Sequence, residues 1–120
     1  MKIVICDDSK AMRMIVMRML KQTDYAEAEF IQAEDGVQGV AAVKAHDPDL
    51  VLSDWNMPNM TGIEVLNALR AEGIGVPFGF VTSESTPEMR SIAIKAGAAF
   101  TIAKPFNAET FANVMATTPL

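Results

Sequence analysis

Basic residues, cysteine and histidine are all scarce in this 120-residue chain. Ten Lys and Arg face fifteen Asp and Glu, for a net charge of −5. That balance argues against nucleic acid as the principal ligand, because the phosphate backbone is met by Lys and Arg. The lone Cys6 excludes an intramolecular disulfide, and with the single His46 it cannot furnish a four-ligand zinc site. No run approaches the ~18 unbroken apolar residues of a membrane-spanning helix. The N-terminus turns acidic at Asp7-Asp8, too early for a secretory signal. Together with a reduced cysteine, these absences make a cytoplasmic protein the default reading. No Gly-x4-Gly-Lys-Ser/Thr loop is present, so that route to nucleotide hydrolysis is closed.

What the chain does have is apolar residues in short, regularly spaced runs. Half of its residues are hydrophobic, which is incompatible with a disordered acidic tail. The length suits a single domain spanning residues 1–120, large enough to bury a core without a staple. The runs Lys2–Cys6, Glu29–Ala33, 49–53, Phe78–Thr82 and Phe100–Ala103 read as strands, alternating with longer periodic segments. Ser9 caps a helix to residue 22, with Met12, Ile15, Val16 and Met19 on its inner face and Arg13 elsewhere. A helix over 37–45 stops at His46-Asp47-Pro48, since the residue before proline avoids helical geometry. Further helices are expected over Gly62–Ala71, from Thr86-Pro87 to Gly97, and over 107–115. Five strands and five helices in strict alternation, with right-handed crossovers, predict an α/β doubly wound parallel sheet.

In such sheets ligands gather beyond the carboxyl ends of the strands. Four strand ends carry chemistry there: Asp7-Asp8, Asp54, Thr82 and Lys104. Clustered carboxylates repel, so ionising all of them calls for a cation or a shifted pKa. Oxygen-only ligands with an open coordination sphere suit Mg²⁺. With charge on the transferring oxygens neutralised by metal and Lys104, a carboxylate can attack phosphorus and form an aspartyl-phosphate. Asp54, between the acidic pair and the lysine, is the natural nucleophile, and Thr82 is placed to bond a phosphoryl oxygen.

The ordered set Cys6-Asp7-Asp8-Ser9, Asp54-Trp55-Asn56-Met57-Pro58-Asn59-Met60-Thr61-Gly62, Thr82 and Lys104-Pro105-Phe106 resembles a two-component response-regulator receiver domain of the CheY-like chemotaxis type. The similarity runs over essentially the whole chain. It implies a flavodoxin-like sheet of order 2-1-3-4-5, phosphorylation of Asp54 by a histidine kinase, and a switch that promotes its own phosphorylation and dephosphorylation. It also implies direct Mg²⁺ ligation by Asp8, Asp54 and the Asn56 carbonyl, with Asp7 acting mainly through water. Lys104 would contact the phosphoryl group and its bond to Pro105 would be cis. Asn56 and Glu84 match positions that tune hydrolysis of the phosphoryl group. The resemblance further implies an output face on the fourth helix, fifth strand and fifth helix. The family's switch aromatic, three residues before the lysine, is replaced here by Thr101, while Phe100 falls on the opposite strand face. Output is therefore expected to run through the backbone of the loop after Thr82.

Other features have plainer readings. Cys6 is expected in the core and His46 in solvent. Met12 and Met19 are expected to pack inward, with Met14 and Met17 partly exposed toward a kinase. The sole tryptophan, Trp55, adjoins Asp54 and offers an optical reporter. Two alternative functions are a haloacid-dehalogenase-type Mg²⁺ phosphohydrolase and a receiver fold used constitutively as an interaction module. The first wants an acid two residues after the nucleophile, where Asn56 stands. A flavin carrier on the same fold is disfavoured by Asp7-Asp8 in the first loop.

Overall fold

The computed structural model describes residues 1–118, so the last two residues of the expected 1–120 domain lie outside the described part. Its elements are β1 (Lys2–Cys6), α1 (Lys10–Leu20), β2 (Glu29–Ala33), α2 (Gly36–His46) and β3 (Leu50–Ser53). They continue with α3 (Gly62–Ala71), β4 (Phe78–Thr82), α4 (Pro87–Ala96), β5 (Phe100–Ala103) and α5 (Ala108–Thr117). The strands form one parallel sheet in the order β2-β1-β3-β4-β5, the flavodoxin-like arrangement that the resemblance implies. No helix among the described residues is long and apolar enough to cross a membrane.

The helix ends follow local chemistry. Ser9, Asp35, Thr61, Thr86 and Asn107 each accept a hydrogen bond from a backbone N–H of the first helical turn. Thr61 and Glu64 complete a reciprocal capping box. At the other ends, Asp47 (φ 48°) and Gly97 (φ 105°) take left-handed conformations that terminate α2 and α4. Helix α1 stops at Leu20, two residues short of expectation, and Asp49 lies just outside β3, where its carboxylate accepts from the Lys2 N–H.

Because β1, β3 and β4 are covered on both faces, all their residues except Lys2 at the start of β1 are buried. One face presents Val4, Val51, Phe78 and Phe80 to Val65, Leu66, Leu69 and Ala93 of α3 and α4. The other presents Ile3, Ile5, Leu52, Val81 and Ile102 to Val16 and Leu20 of α1 and to Phe111 and Met115 of α5. Burying each such side chain contributes about 1.5–3 kcal/mol. Phe100 belongs to this second face, its ring lying over Gly79 on the neighbouring strand, where a Cβ would run into it.

The inner face of α1 differs from expectation. Arg13, Val16 and Leu20 are its buried residues, whereas Ile15 is exposed, and Met12 and Met19 are only half-buried. The buried stripe is rotated by one residue because the Arg13 guanidinium finds partners inside. Its Nη1 donates to the Asp7 carbonyl at 2.7 Å and its Nε to Gln32 Oε1 at 2.9 Å. Met14 points outward, while Met17 packs against the second core face.

Candidate functional site

The register of the parallel strands brings the ends of β1 and β3 side by side, Cys6 opposite Ser53, so Asp7, Asp8 and Asp54 emerge at one rim. One carboxylate oxygen from each lies within 4.8 Å of the others. The turn after β5 delivers Lys104 into the same cluster, its backbone N–H donating to the Thr82 carbonyl at 2.9 Å. Its Nζ reaches Asp7 Oδ2 at 3.1 Å and Asp54 Oδ2 at 3.3 Å. The ammonium and these two carboxyls are all largely shielded, which strengthens their attraction relative to a surface pair. The Lys104–Pro105 peptide is cis.

The three acids are held very differently. Asp7 is buried, and its N–H donates to the Ala33 carbonyl while its own carbonyl accepts from Arg13. Its Oδ1 accepts from the Ser9 N–H at 2.9 Å and its Oδ2 from Lys104. Asp54 is fixed by its own N–H to the Cys6 carbonyl, and its Oδ1 accepts from the Trp55 N–H at 2.7 Å. A Cβ on Gly62 would strike the Asp54 carbonyl, so glycine is what lets α3 start directly beneath the loop that follows β3. Asp8 is exposed, and its carboxylate has no hydrogen-bond partner among the described residues. An all-oxygen set with one uncommitted carboxylate fits a hard divalent cation such as Mg²⁺, which keeps several waters.

Thr82 ends β4 on the same rim, buried, with its Oγ1 accepting from the Glu84 N–H at 3.2 Å. The Asn56 and Glu84 side chains are exposed on the loops after β3 and β4 and form no part of the carboxylate cluster. Thr101 is half-buried and lies opposite Phe80 in the register. The indole of Trp55 packs on Phe80 with ring centroids 4.9 Å apart. A cleft of about 330 Å³ opens beside Lys104, lined by Met12, Ile15, Ser83, Pro105 and Phe106.

Cys6 lies directly under the rim, and burial, then the nearby charges of Asp7 and Asp35, push its thiol up to about 12. It is therefore protonated and inert near neutrality. His46 ends α2 in solvent, away from this chemistry. Two supports were missed by sequence reasoning. One is Arg13, whose inward position three residues before Val16 and seven before Leu20 was the available signal. The other is Asn59, left-handed at φ 70°, whose amide donates to Asp35 Oδ2 at 2.9 Å and ties the loop after β3 to the cap of α2.

Residues 3–116 match the family model described as the response regulator receiver domain. Chemotaxis protein CheY-3 of Vibrio cholerae is 38% identical over 112 residues, covering 92% of this chain and 85% of the relative. Chemotaxis protein CheY of Pseudomonas aeruginosa is 34% identical over 111 residues, covering 91% and 88%. Among solved structures, chemotaxis protein CheY4 of Vibrio cholerae superposes with a TM-score of 0.86 at 32% identity, over 98% of both chains.

Proposed function

The chain belongs to the response regulator receiver domain family, and from that membership and the rim's geometry we propose that it is a phosphorylation-controlled switch which accepts a phosphoryl group on Asp54. The single observation that carries this reading is the meeting of Asp7, Asp8 and Asp54 at one rim, with the Lys104 ammonium bridging Asp7 and Asp54. The donor is the phosphohistidine of a histidine kinase. Mg²⁺, held by Asp8, Asp54 and the Asn56 carbonyl, with Asp7 acting through water, would supply charge neutralisation at the phosphoryl oxygens.

The chain's own residues do the rest. An Asp54 carboxylate oxygen attacks phosphorus, the P–N bond to the imidazole breaks, and the electron pair leaves on that nitrogen. Lys104 sits between Asp7 and Asp54, close enough to transfer one of its donors to the incoming phosphoryl group. Hydrolysis returns Asp54 to a carboxylate, and Asn56 and Glu84, exposed on the loops after β3 and β4, are the residues that would tune its rate. Asn56 in place of a carboxylic acid argues against a general phosphohydrolase, since an amide cannot act as a general acid.

Output follows from Thr82. A phosphoryl oxygen that accepts its hydroxyl reorients Oγ1, and Oγ1 already holds the Glu84 N–H. The loop over 83–86 therefore moves with the hydroxyl, biasing the start of α4 and the face built from α4, β5 and α5. A swinging aromatic has no part in this device: Thr101 stands on the Phe80 side, and the Phe100 ring is fixed in the core over Gly79. The setting is cytoplasmic, the domain acts as one unit, and its output is a protein partner in chemotaxis.

The test is incubation with Mg²⁺ and a small phosphoramidate, read by intact mass and Trp55 fluorescence. One phosphoryl adduct per chain is expected, dependent on Mg²⁺ and absent in Asp54→Asn. Steady turnover of many phosphomonoesters with no adduct would favour the hydrolase instead. With a phosphoryl mimic bound, the amide resonances over 82–86 should shift, Glu84 most of all. An unchanged backbone there would overturn the proposed output route.

A further inference from the structure

We propose that Arg13 is a positioning residue for the acidic rim: its buried guanidinium fixes the turn between β1 and α1 so that the unpartnered Asp8 carboxylate stays aimed at Asp54. The proposal rests on the phosphoacceptor reading and adds to it a residue outside the rim.

Arg13 is 5% exposed, on a helix stripe otherwise made of Val16 and Leu20. A guanidinium is expensive to bury and stays charged, so it must be matched by acceptors of good geometry. It has two in different directions. Nη1 donates to the Asp7 carbonyl at 2.7 Å, and Nε donates to Gln32 Oε1 on β2 at 2.9 Å. A third arm, Nη2, lies 3.9 Å from Glu34 Oε1, an exposed and weak contact. Among the described residues no other donor reaches the Asp7 carbonyl.

That carbonyl belongs to the peptide joining Asp7 to Asp8. Its orientation sets where the Asp8 backbone, and hence its side chain, departs from the strand. Asp7 is pinned at its N–H by Ala33 and at its carboxylate by Ser9 and Lys104. Arg13 closes the last freedom of the unit, the rotation of the following peptide plane. A lysine could satisfy one acceptor but not hold the Asp7 carbonyl and the Gln32 amide of β2 together, because it lacks the planar fork. The positive charge also lies beside a cluster in which three carboxylates face one ammonium, lowering the cost of holding Asp8 near Asp54.

Arg70 provides the matched control. It too grips backbone carbonyls, those of Ile74, Val76 and Gly97, but at the opposite edge of the sheet. The experiment measures Mg²⁺ affinity by Trp55 fluorescence and by calorimetry, with the metal-free melting temperature and the Asp8 and Ser9 amide resonances recorded for each protein. Relative to wild type, Arg13→Met and Arg13→Lys should both raise the Mg²⁺ Kd about tenfold, the low end for loss of a residue that orients a metal ligand. Both should shift the Asp8 and Ser9 amides. Arg70→Met should lower the melting temperature and leave the Kd within twofold.

A Kd within twofold of wild type in a folded Arg13→Met protein would overturn the proposal, reducing Arg13 to a plug for a buried carbonyl. Should Arg13→Met fail to fold, Gln32→Leu removes the other anchor from an exposed site. It should then raise the Kd about threefold, and an unchanged Kd would overturn the proposal equally. A wild-type protein that shows no Mg²⁺ binding by either method would instead defeat the phosphoacceptor reading on which this one rests.

Discussion

Arg13 and Arg70 are used alike, each tying loops together at one edge of the same sheet, Arg13 through the Asp7 carbonyl and the Gln32 amide and Arg70 through three backbone carbonyls, yet their surroundings have opposite character. Around Arg70, at the amino-terminal edge, three carbonyls are satisfied by one side chain. On the same edge Asp49 takes the Lys2 N–H, and among the described residues no second group of three acids gathers as closely as Asp7, Asp8 and Asp54. At the carboxyl edge, Asp7, Asp8 and Asp54 crowd within 4.8 Å and have one ammonium between them. One edge is arranged for the stability of the chain alone. The other keeps repulsion that only a ligand can relieve, which is how a functional site is told from a structural one at equal hydrogen-bond quality.

The contrast predicts effects of opposite sign. Arg70→Met should cost about 2–3 kcal/mol in urea unfolding, since hydrogen bonds to charged groups are worth roughly 1.5–3 kcal/mol and these are partly exposed. Addition of Mg²⁺ should not alter that loss. Asp8→Asn should do the reverse, stabilising the metal-free protein by about 1 kcal/mol, the Coulomb repulsion of like charges some 5 Å apart in water. It should also abolish the rise in melting temperature that Mg²⁺ gives the wild type. A destabilised Asp8→Asn protein would mean that the carboxyl edge carries no stored repulsion, and the comparison would fail.

Much of this was legible in the sequence because the signals are local. Five capping side chains precede five helices, and the short apolar runs mark strands whose ends must share a rim once the sheet is parallel. Alternation alone put Phe100 and Thr101 on opposite faces. The order of the strands was not local and came from the family likeness. Nor could alternation reveal that Gly79 on the next strand makes room for the Phe100 ring, which depends on register between β4 and β5. Arg13 was misread for the same reason. A helical pattern assigns arginine to solvent, and its inward turn is decided by the Asp7 carbonyl just after β1 and an amide on β2. The Asn59–Asp35 bond likewise joins loops 24 residues apart.

The smallest predicted effect separates acidity as such from acidity without donors, using Asp35 and Glu64. Both are carboxylates at helix starts, Asp35 half-buried and Glu64 exposed, and both titrate below their ordinary values of 3.8 and 4.5. The Gln38 N–H and then the Asn59 amide hold Asp35 ionised; the Thr61 N–H and then its hydroxyl hold Glu64. A carboxyl whose pKa is lower folded than unfolded binds fewer protons in the native state. It adds stability that is complete above the ordinary value and drains away as pH falls through the folded one. Glu64→Gln keeps a side chain able to close the capping box but removes this titration. Its urea midpoint should therefore sit slightly below wild type at neutral pH and fall less steeply from about pH 5 to pH 3. Asn59→Gly, which preserves the left-handed backbone, should flatten the same region through Asp35. The same change of acid to amide thus destabilises at Glu64 and stabilises at Asp8. If both substitutions shifted the midpoint in one direction, donor satisfaction would not be what distinguishes the two carboxylates.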